Sequence, residues 1–156
     1  MIPRRSLIAS LVLFATAARA QTGPQPELPK EKLVIVTRGD KRHDFMVEMA
    51  ITPDQQTTGL MFRPSVPADG GMLFDWGAPR RSQMWMRNTI SSLDMLFIDI
   101  NGIVRHIAEN TVPQSLAIID SVTPVRATLE LAAGTAAKLD IRVGDKVLQR
   151  LFGTAP

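Results

Sequence analysis

The chain has 156 residues, 45% of them hydrophobic, no cysteine, and 18 Lys+Arg against 15 Asp+Glu, for a formal net charge of +3. Without cysteine there are no disulfides and no thiolate chemistry, so the fold must be held by its own core. Arg4, Arg5 and Arg19 carry the whole excess; without them 15 basic residues face 15 acidic ones, which leaves no electrostatic case for nucleic acid or an anionic membrane surface.

Residues 1–20 read as a cleavable signal peptide. Arg4 and Arg5 form a positive start, residues 7–18 are apolar, and Ala18-Arg19-Ala20 is a small-x-small cleavage site followed by Gln21. The apolar stretch is shorter than the roughly 20 residues that cross a bilayer, which argues against an uncleaved anchor. The arginine pair also raises twin-arginine export, and no Cys follows that could be acylated. The expected location is periplasmic or secreted, with no membrane span after leader cleavage. Residues 21–32 contain three prolines and read as a tether. Residues 33–153 are expected to form one β domain.

Along the domain, short apolar runs alternate with turn signals. Residues 33–37 are β-rich. Residues 43–51 alternate, with Phe45, Val47, Met49 and Ile51 on one face and Asp44 and Glu48 on the other. Thr52, Pro53 and Gln55 then start a short helix that ends near Gly59 to Met61: N-cap, proline at the first helical position, and Gln three residues after the cap. Further strands are predicted over 72–76, 83–88, 94–100, 103–108, 116–119, 125–131 and 146–151. Asn101-Gly102 marks a hairpin turn, residues 135–139 a helical turn or two, and Val143-Gly144-Asp145 another turn. Eight or nine short strands and two short helices, with no long helices between strands, predict a mostly β, antiparallel sandwich or barrel-like domain.

Four segments then follow in order: GLMFR (59–63), GMLF (71–74), WMRNT (85–89) and SLDMLFID (92–99). LELAAG (129–134) and VGD (143–145) come after them. Together they resemble the bacterial and archaeal domain-of-unknown-function family 192 over about residues 33–151. The positions matching the family pattern are Gly59, Arg63, Gly71, Trp85, Met86, Asn88, Thr89, Asp94, Glu130, Gly134 and Gly144. The resemblance implies a compact, mostly β domain, often exported, and no established reaction. Where the family usually carries Lys, this chain has Arg87, which keeps the charge, changes the donor geometry and excludes an amine nucleophile there.

The densest polar cluster is Arg87-Asn88-Thr89, with Asp94 shortly after. On a strand, Trp85, Arg87 and Thr89 would share one face. An indole, a guanidinium and a hydroxyl suit an anionic or sugar-like ligand. The structural alternative is that Asn88-Thr89 forms a turn to whose backbone Asp94 bonds. Glu130 interrupts an apolar run and shares a face with Arg126 and Thr128. It reads as half of a surface ion pair, as the buried partner of Arg87, or as an acid/base partner of Asp94.

His43 and His106 are too few for a zinc site. No calcium loop, phosphate loop or nucleophile elbow around Ser91, Ser92 or Ser115 is present. Seven methionines remain after the leader: Met46, Met49, Met61, Met72, Met84, Met86 and Met95. They read as core filling, with Cu(I) handling as the alternative, Met84-Trp85-Met86 being the motif that suggests it.

The sequence is therefore expected to encode an exported, monomeric β domain, without cofactor or metal, that binds a small polar ligand or a cell-envelope component. The ligand-binding candidates are Trp85, Arg87, Asn88, Thr89, Asp94 and Glu130, with Arg63 on the rim. The rival is a hydrolase or lyase with Asp94 and Glu130 as acid and base, which needs those carboxylates about 5 to 10 Å apart.

Overall fold

The structure, a computed structural model, describes residues 22–155; the leader expected over residues 1–20 lies outside them. The elements are β1 Lys30–Thr37, β2 Lys41–Ala50, α1 Pro53–Thr58, β3 Gly70–Met84, β4 Leu93–Ile98, β5 Val104–Ala108, β6 Ile119–Ala132, α2 Thr135–Leu139 and β7 Lys146–Leu148. Among the described residues the seven strands form one curled sheet, a half-barrel, in the order β5-β4-β6-β3-β2-β1-β7. Neighbours are antiparallel except β2 and β3, which run parallel. No helix among the described residues is long and apolar enough to cross a membrane.

Local sequence explains the joints. β1 and β2 meet at a 3-10 turn, Arg38–Asp40, in which Gly39 takes φ 72°. α1 starts with a complete capping box: Thr52 Oγ1 accepts from the Gln55 N–H, and Gln55 Oε1 accepts from the Thr52 N–H at 3.0 Å. The Asn101-Gly102 turn joins β4 to β5, and Asp99 Oδ1 organises it by accepting from the N–H groups of Asn101 (2.8 Å) and Ile103 (3.0 Å). The same turn draws the sheet edges together. Ile103 bridges Lys146, and the Val147 N–H donates to the Gly102 carbonyl at 2.7 Å. A side chain on Gly102 would place Cβ 2.5 Å from the Val147 carbonyl oxygen.

Both faces of the central strands are buried. The concave face holds Leu33, Ile35, Phe45, Val47, Leu73, Leu96, Ile98, Leu129, Leu131 and Val147. The opposite face holds Met72, Phe74, Met84, Met86, Met95 and Phe97, covered by Leu28, Leu60 and Val66 from the surrounding segments. Burying each large apolar side chain contributes on the order of 2 kcal/mol, so two layers suffice without disulfides.

The structure corrects several sequence expectations. Two predicted pairs of strands, 72–76 with 83–88 and 116–119 with 125–131, are single long strands, β3 and β6. Their mutual register shifts between Asp75 and Arg80 and again between Arg81 and Gln83; such irregularities bend long strands and break the alternation from which strands are read. β3 ends at Met84, so residues 85–88 are not strand, and Arg87 and Asn88 form a turn. β1 starts at Lys30, inside the expected tether. The rest of that segment is pinned to the domain: Gln25 Nε2 donates to the Gly59 carbonyl at 2.9 Å, and the Leu28 N–H to Glu48 at 2.8 Å. Ile51 lies beyond β2 and is exposed, whereas Glu48, read as solvent-facing, is buried. The last predicted strand is cut to Lys146–Leu148, and a 3-10 turn, Arg150–Phe152, follows.

Candidate functional site

Glu130 lies on β6 between Leu129 and Leu131, whose side chains fill the concave core. Alternation sends Glu130 to the opposite face. There it stands across from Met72 of β3 and Met95 of β4. Gly71 permits this close packing, since a Cβ there would sit 2.3 Å from the Glu130 carbonyl oxygen.

Glu130 is 4% exposed and forms part of the wall of a cavity of about 400 Å³. The rest of the wall comes from three places. α1 and the turn after it bring Gln56, Thr57, Thr58, Leu60 and Met61; β3 brings Phe74, Trp76, Arg80, Gln83 and Met84; the segment after β3 brings Trp85 and Thr89. Among the described residues no side chain or backbone group hydrogen-bonds to the Glu130 carboxyl. Burial alone pushes it from an ordinary 4.5 up to about 8. At neutral pH it is therefore a protonated acid, with an O–H to donate and a carbonyl oxygen to accept.

The surrounding groups are held in place. Trp76 stacks on Phe74 at 5.7 Å, and its Nε1–H donates to Thr128 Oγ1 at 3.1 Å. The Arg80 guanidinium lies 4.4 Å from the centre of the Trp76 ring, and that of Arg87 lies 5.4 Å from the Trp85 ring. Gln56 bridges α1 to β3 by donating to the Asp75 carbonyl at 2.6 Å. Arg126 pairs with Asp75, not with Glu130. Burial alone would raise the Asp75 carboxyl, but Arg126 and the Gly77 N–H outweigh it and hold it below its usual value.

Of the residues singled out from sequence, Glu130, Trp85 and Thr89 meet at this cavity, with the Arg87 guanidinium over the Trp85 ring. They do so through a turn rather than as one strand face: Asn88 takes φ 55°, and the Thr89 N–H donates to the Met86 carbonyl at 3.0 Å. Asn88 holds that turn to the neighbouring loop, its carbonyl accepting from the Phe62 N–H at 2.8 Å. Asp94 is placed elsewhere. It stands opposite Leu131 and so faces the concave side, with the sheet between it and Glu130. Its two oxygens accept from the N–H groups of Asn110 (2.8 Å) and Ala136 (2.9 Å), fastening a loop and the first turn of α2. The geometry therefore supplies neither the Asp94–Glu130 acid/base pair nor the Asp94 bond to the Asn88-Thr89 backbone.

Arg63 is likewise separate. It forms a two-pronged bond to buried Glu48 (3.1 and 3.0 Å) beside a second cavity, of about 460 Å³. Its Nε is buried without a partner among the described residues. Met72, Met86 and Met95 are fully buried in the core, while Met61 and Met84 reach the cavity wall. No group of three or more His, Asp or Glu among the described residues could hold a metal ion.

Sequence reasoning missed Trp76, Arg80, Phe74 and the α1 residues. They lie 50 to 77 positions from Glu130, and only the β3–β6 pairing and the return of α1 onto β3 bring them to it. One signal was available: Glu130 is an acidic residue inside an apolar run, LELAA, where a charge is costly.

Comparison with known proteins agrees with the fold. A crystal structure from Sinorhizobium meliloti 1021, described as a proposed transcription regulator (R01717), is 45% identical, with a TM-score of 0.79 over 81% of this chain and 98% of that one. A protein of unknown function from Novosphingobium aromaticivorans DSM 12444 is 34% identical, with a TM-score of 0.76 over 88% of this chain and 99% of that one. None of the curated proteins matches. The family described as DUF192, "Uncharacterized ACR", matches residues 34–149. This chain is a member of the DUF192 family.

Proposed function

We propose that the mature chain is an exported β domain that binds a small polar ligand in the cleft floored by Glu130. One observation carries this reading: a largely buried carboxyl, with no hydrogen-bond partner among the described residues, opens onto a cavity walled by aromatic, amide and hydroxyl groups. Leaving such a group unpaired inside a fold costs stability. A ligand with a hydrogen-bonding group at the cavity floor supplies the missing partner, and Trp76 and Trp85 offer apolar ring surface to its body. Export rests on the three-part leader in residues 1–20. Leader removal leaves equal numbers of basic and acidic residues, which gives no electrostatic support for the nucleic-acid binding that a regulator, as the Sinorhizobium relative is described, would need.

A thermal-shift screen of the mature protein against sugars, peptidoglycan fragments and organic acids tests the reading. A ligand is expected to raise the melting temperature of the wild type and not of Glu130→Ala. Equal shifts in both proteins would place binding outside the cleft.

A second reading, hydrolase or lyase chemistry, is favoured by the proton that Glu130 holds to about pH 8, which suits a general acid. It predicts turnover of a bound compound that Glu130→Gln abolishes while binding survives.

A further inference from the structure

We propose that the cleft selects small organic anions, carboxylates with a ring-like body, and that Arg80 is the residue that recognises their charge. This rests on the cleft being a ligand site.

The argument starts from which charges are already committed. Asp75 and Asp120 flank Arg80 on the paired strands, but Asp75 is bonded to Arg126, and Asp120 to Arg81 at 2.8 Å and Gln83 at 3.1 Å. The register partner of Arg80 is Val125, which has no charge to offer. Among the described residues neither Arg80 nor Arg87 forms an ion pair; each instead lies over a tryptophan that lines the cleft.

Among the described residues the Arg80 guanidinium, 4.4 Å from the Trp76 ring centre, donates to no acceptor, so its N–H groups remain for a ligand. An arginine held this way presents a fork for a carboxylate while losing little side-chain freedom on binding. Its charge is not neutralised from below, because Glu130 keeps its proton at neutral pH. The cleft thus pairs free positive charge on its wall with a neutral O–H donor at its floor. A cationic ligand would meet Arg80 and find no carboxylate to replace it. A neutral sugar would leave the fork unused. An anion satisfies both ends. About 400 Å³ lies near the small end of ligand cavities, which favours a single sugar acid or aromatic acid over a polymer.

The test uses matched probes that differ only in charge: glucuronate against glucose, and benzoate against benzyl alcohol. Binding to the mature protein is followed by the indole N–H signals of Trp76 and Trp85 in NMR titrations. The anion of at least one pair is expected to move both signals, and its neutral counterpart to move neither. Arg80→Gln should weaken that anion about 10- to 100-fold, the worth of a charged hydrogen bond, with the melting temperature unchanged. Arg142→Gln, which removes an exposed charge already paired with Asp140 and outside the cleft wall, should bind as the wild type does. Equal binding of a neutral partner overturns the anion proposal and leaves the cleft reading standing. Equal loss in Arg142→Gln and Arg80→Gln also overturns it, because the effect is then general surface charge. If no member of either pair moves the indole signals, both the anion proposal and the cleft reading fail for these ligand classes.

Discussion

Replacing Glu130 by Gln should stabilise the protein at neutral pH, and the size of the effect follows from burial. In the unfolded chain the carboxyl ionises near 4.5; in the fold it stays protonated to about 8. Between those values the unfolded state binds fewer protons than the native state, so stability falls as pH rises. The slope is about 1.4 kcal/mol per pH unit, which amounts to about 3 kcal/mol lost by pH 7 relative to pH 4.5. Above about pH 8 the loss levels off. Glutamine is nearly isosteric and does not ionise, so Glu130→Gln escapes the penalty. The variant should match the wild type near pH 4.5 and melt roughly 10 °C higher at pH 7, taking about 3 °C per kcal/mol for a domain of this size. Urea unfolding of both proteins at half-unit steps from pH 4.5 to 8.5 measures the difference directly. Parallel curves across that range would refute the reasoning, because they would mean that the native carboxyl ionises as freely as the unfolded one. A gain in stability together with loss of ligand binding would mark Glu130 as a group kept at the expense of the fold.

Three further substitutions probe the scaffold, each read by chemical denaturation. Arg63→Met leaves Glu48 buried with the Leu28 N–H as its remaining bond, and should cost about 3 to 5 kcal/mol; a cost below about 1 kcal/mol would mean that Glu48 reaches solvent. Asp94→Ala removes the acceptor of two backbone N–H groups and should cost about 3 kcal/mol while leaving the Trp76 and Trp85 signals in place; a shift of those signals would show that Asp94 acts on the cleft. Gly102→Ala combines a positive φ of 79° with a Cβ 2.5 Å from the Val147 carbonyl. It should cost more than about 1 kcal/mol and speed amide exchange at Val147; unchanged exchange would mean that β7 does not depend on this closure.

Much of the fold follows from local chemistry and is legible in the chain. Thr52, Pro53 and Gln55 specify their capping box through contacts within four residues. Asn101-Gly102 specifies its hairpin because the φ of 79° at Gly102 suits glycine and few other residues. The mostly β class follows from apolar runs too short for helices, and the family from motifs spread over the whole domain. Strand number was misread because β3 and β6 are bent by register shifts that depend on each other's pairing.

The site was only half legible for a similar reason. Glu130, Trp85 and Thr89 are conspicuous as polar or aromatic residues among apolar ones, but their partners depend on which face each strand turns inward. One step of register decides that, and it puts Asp94 on the far side of the sheet from Glu130. Arg80 stands over Trp76 where Asp75 and Asp120 have been claimed by other arginines, a matter of distances across strands. The sequence by itself determined the β class and the family, because those signals are local or compositional. Only the tertiary structure decided that Glu130 is buried in the wall of a cleft with no hydrogen-bond partner among the described residues, because burial and pairing are properties of the whole surrounding packing.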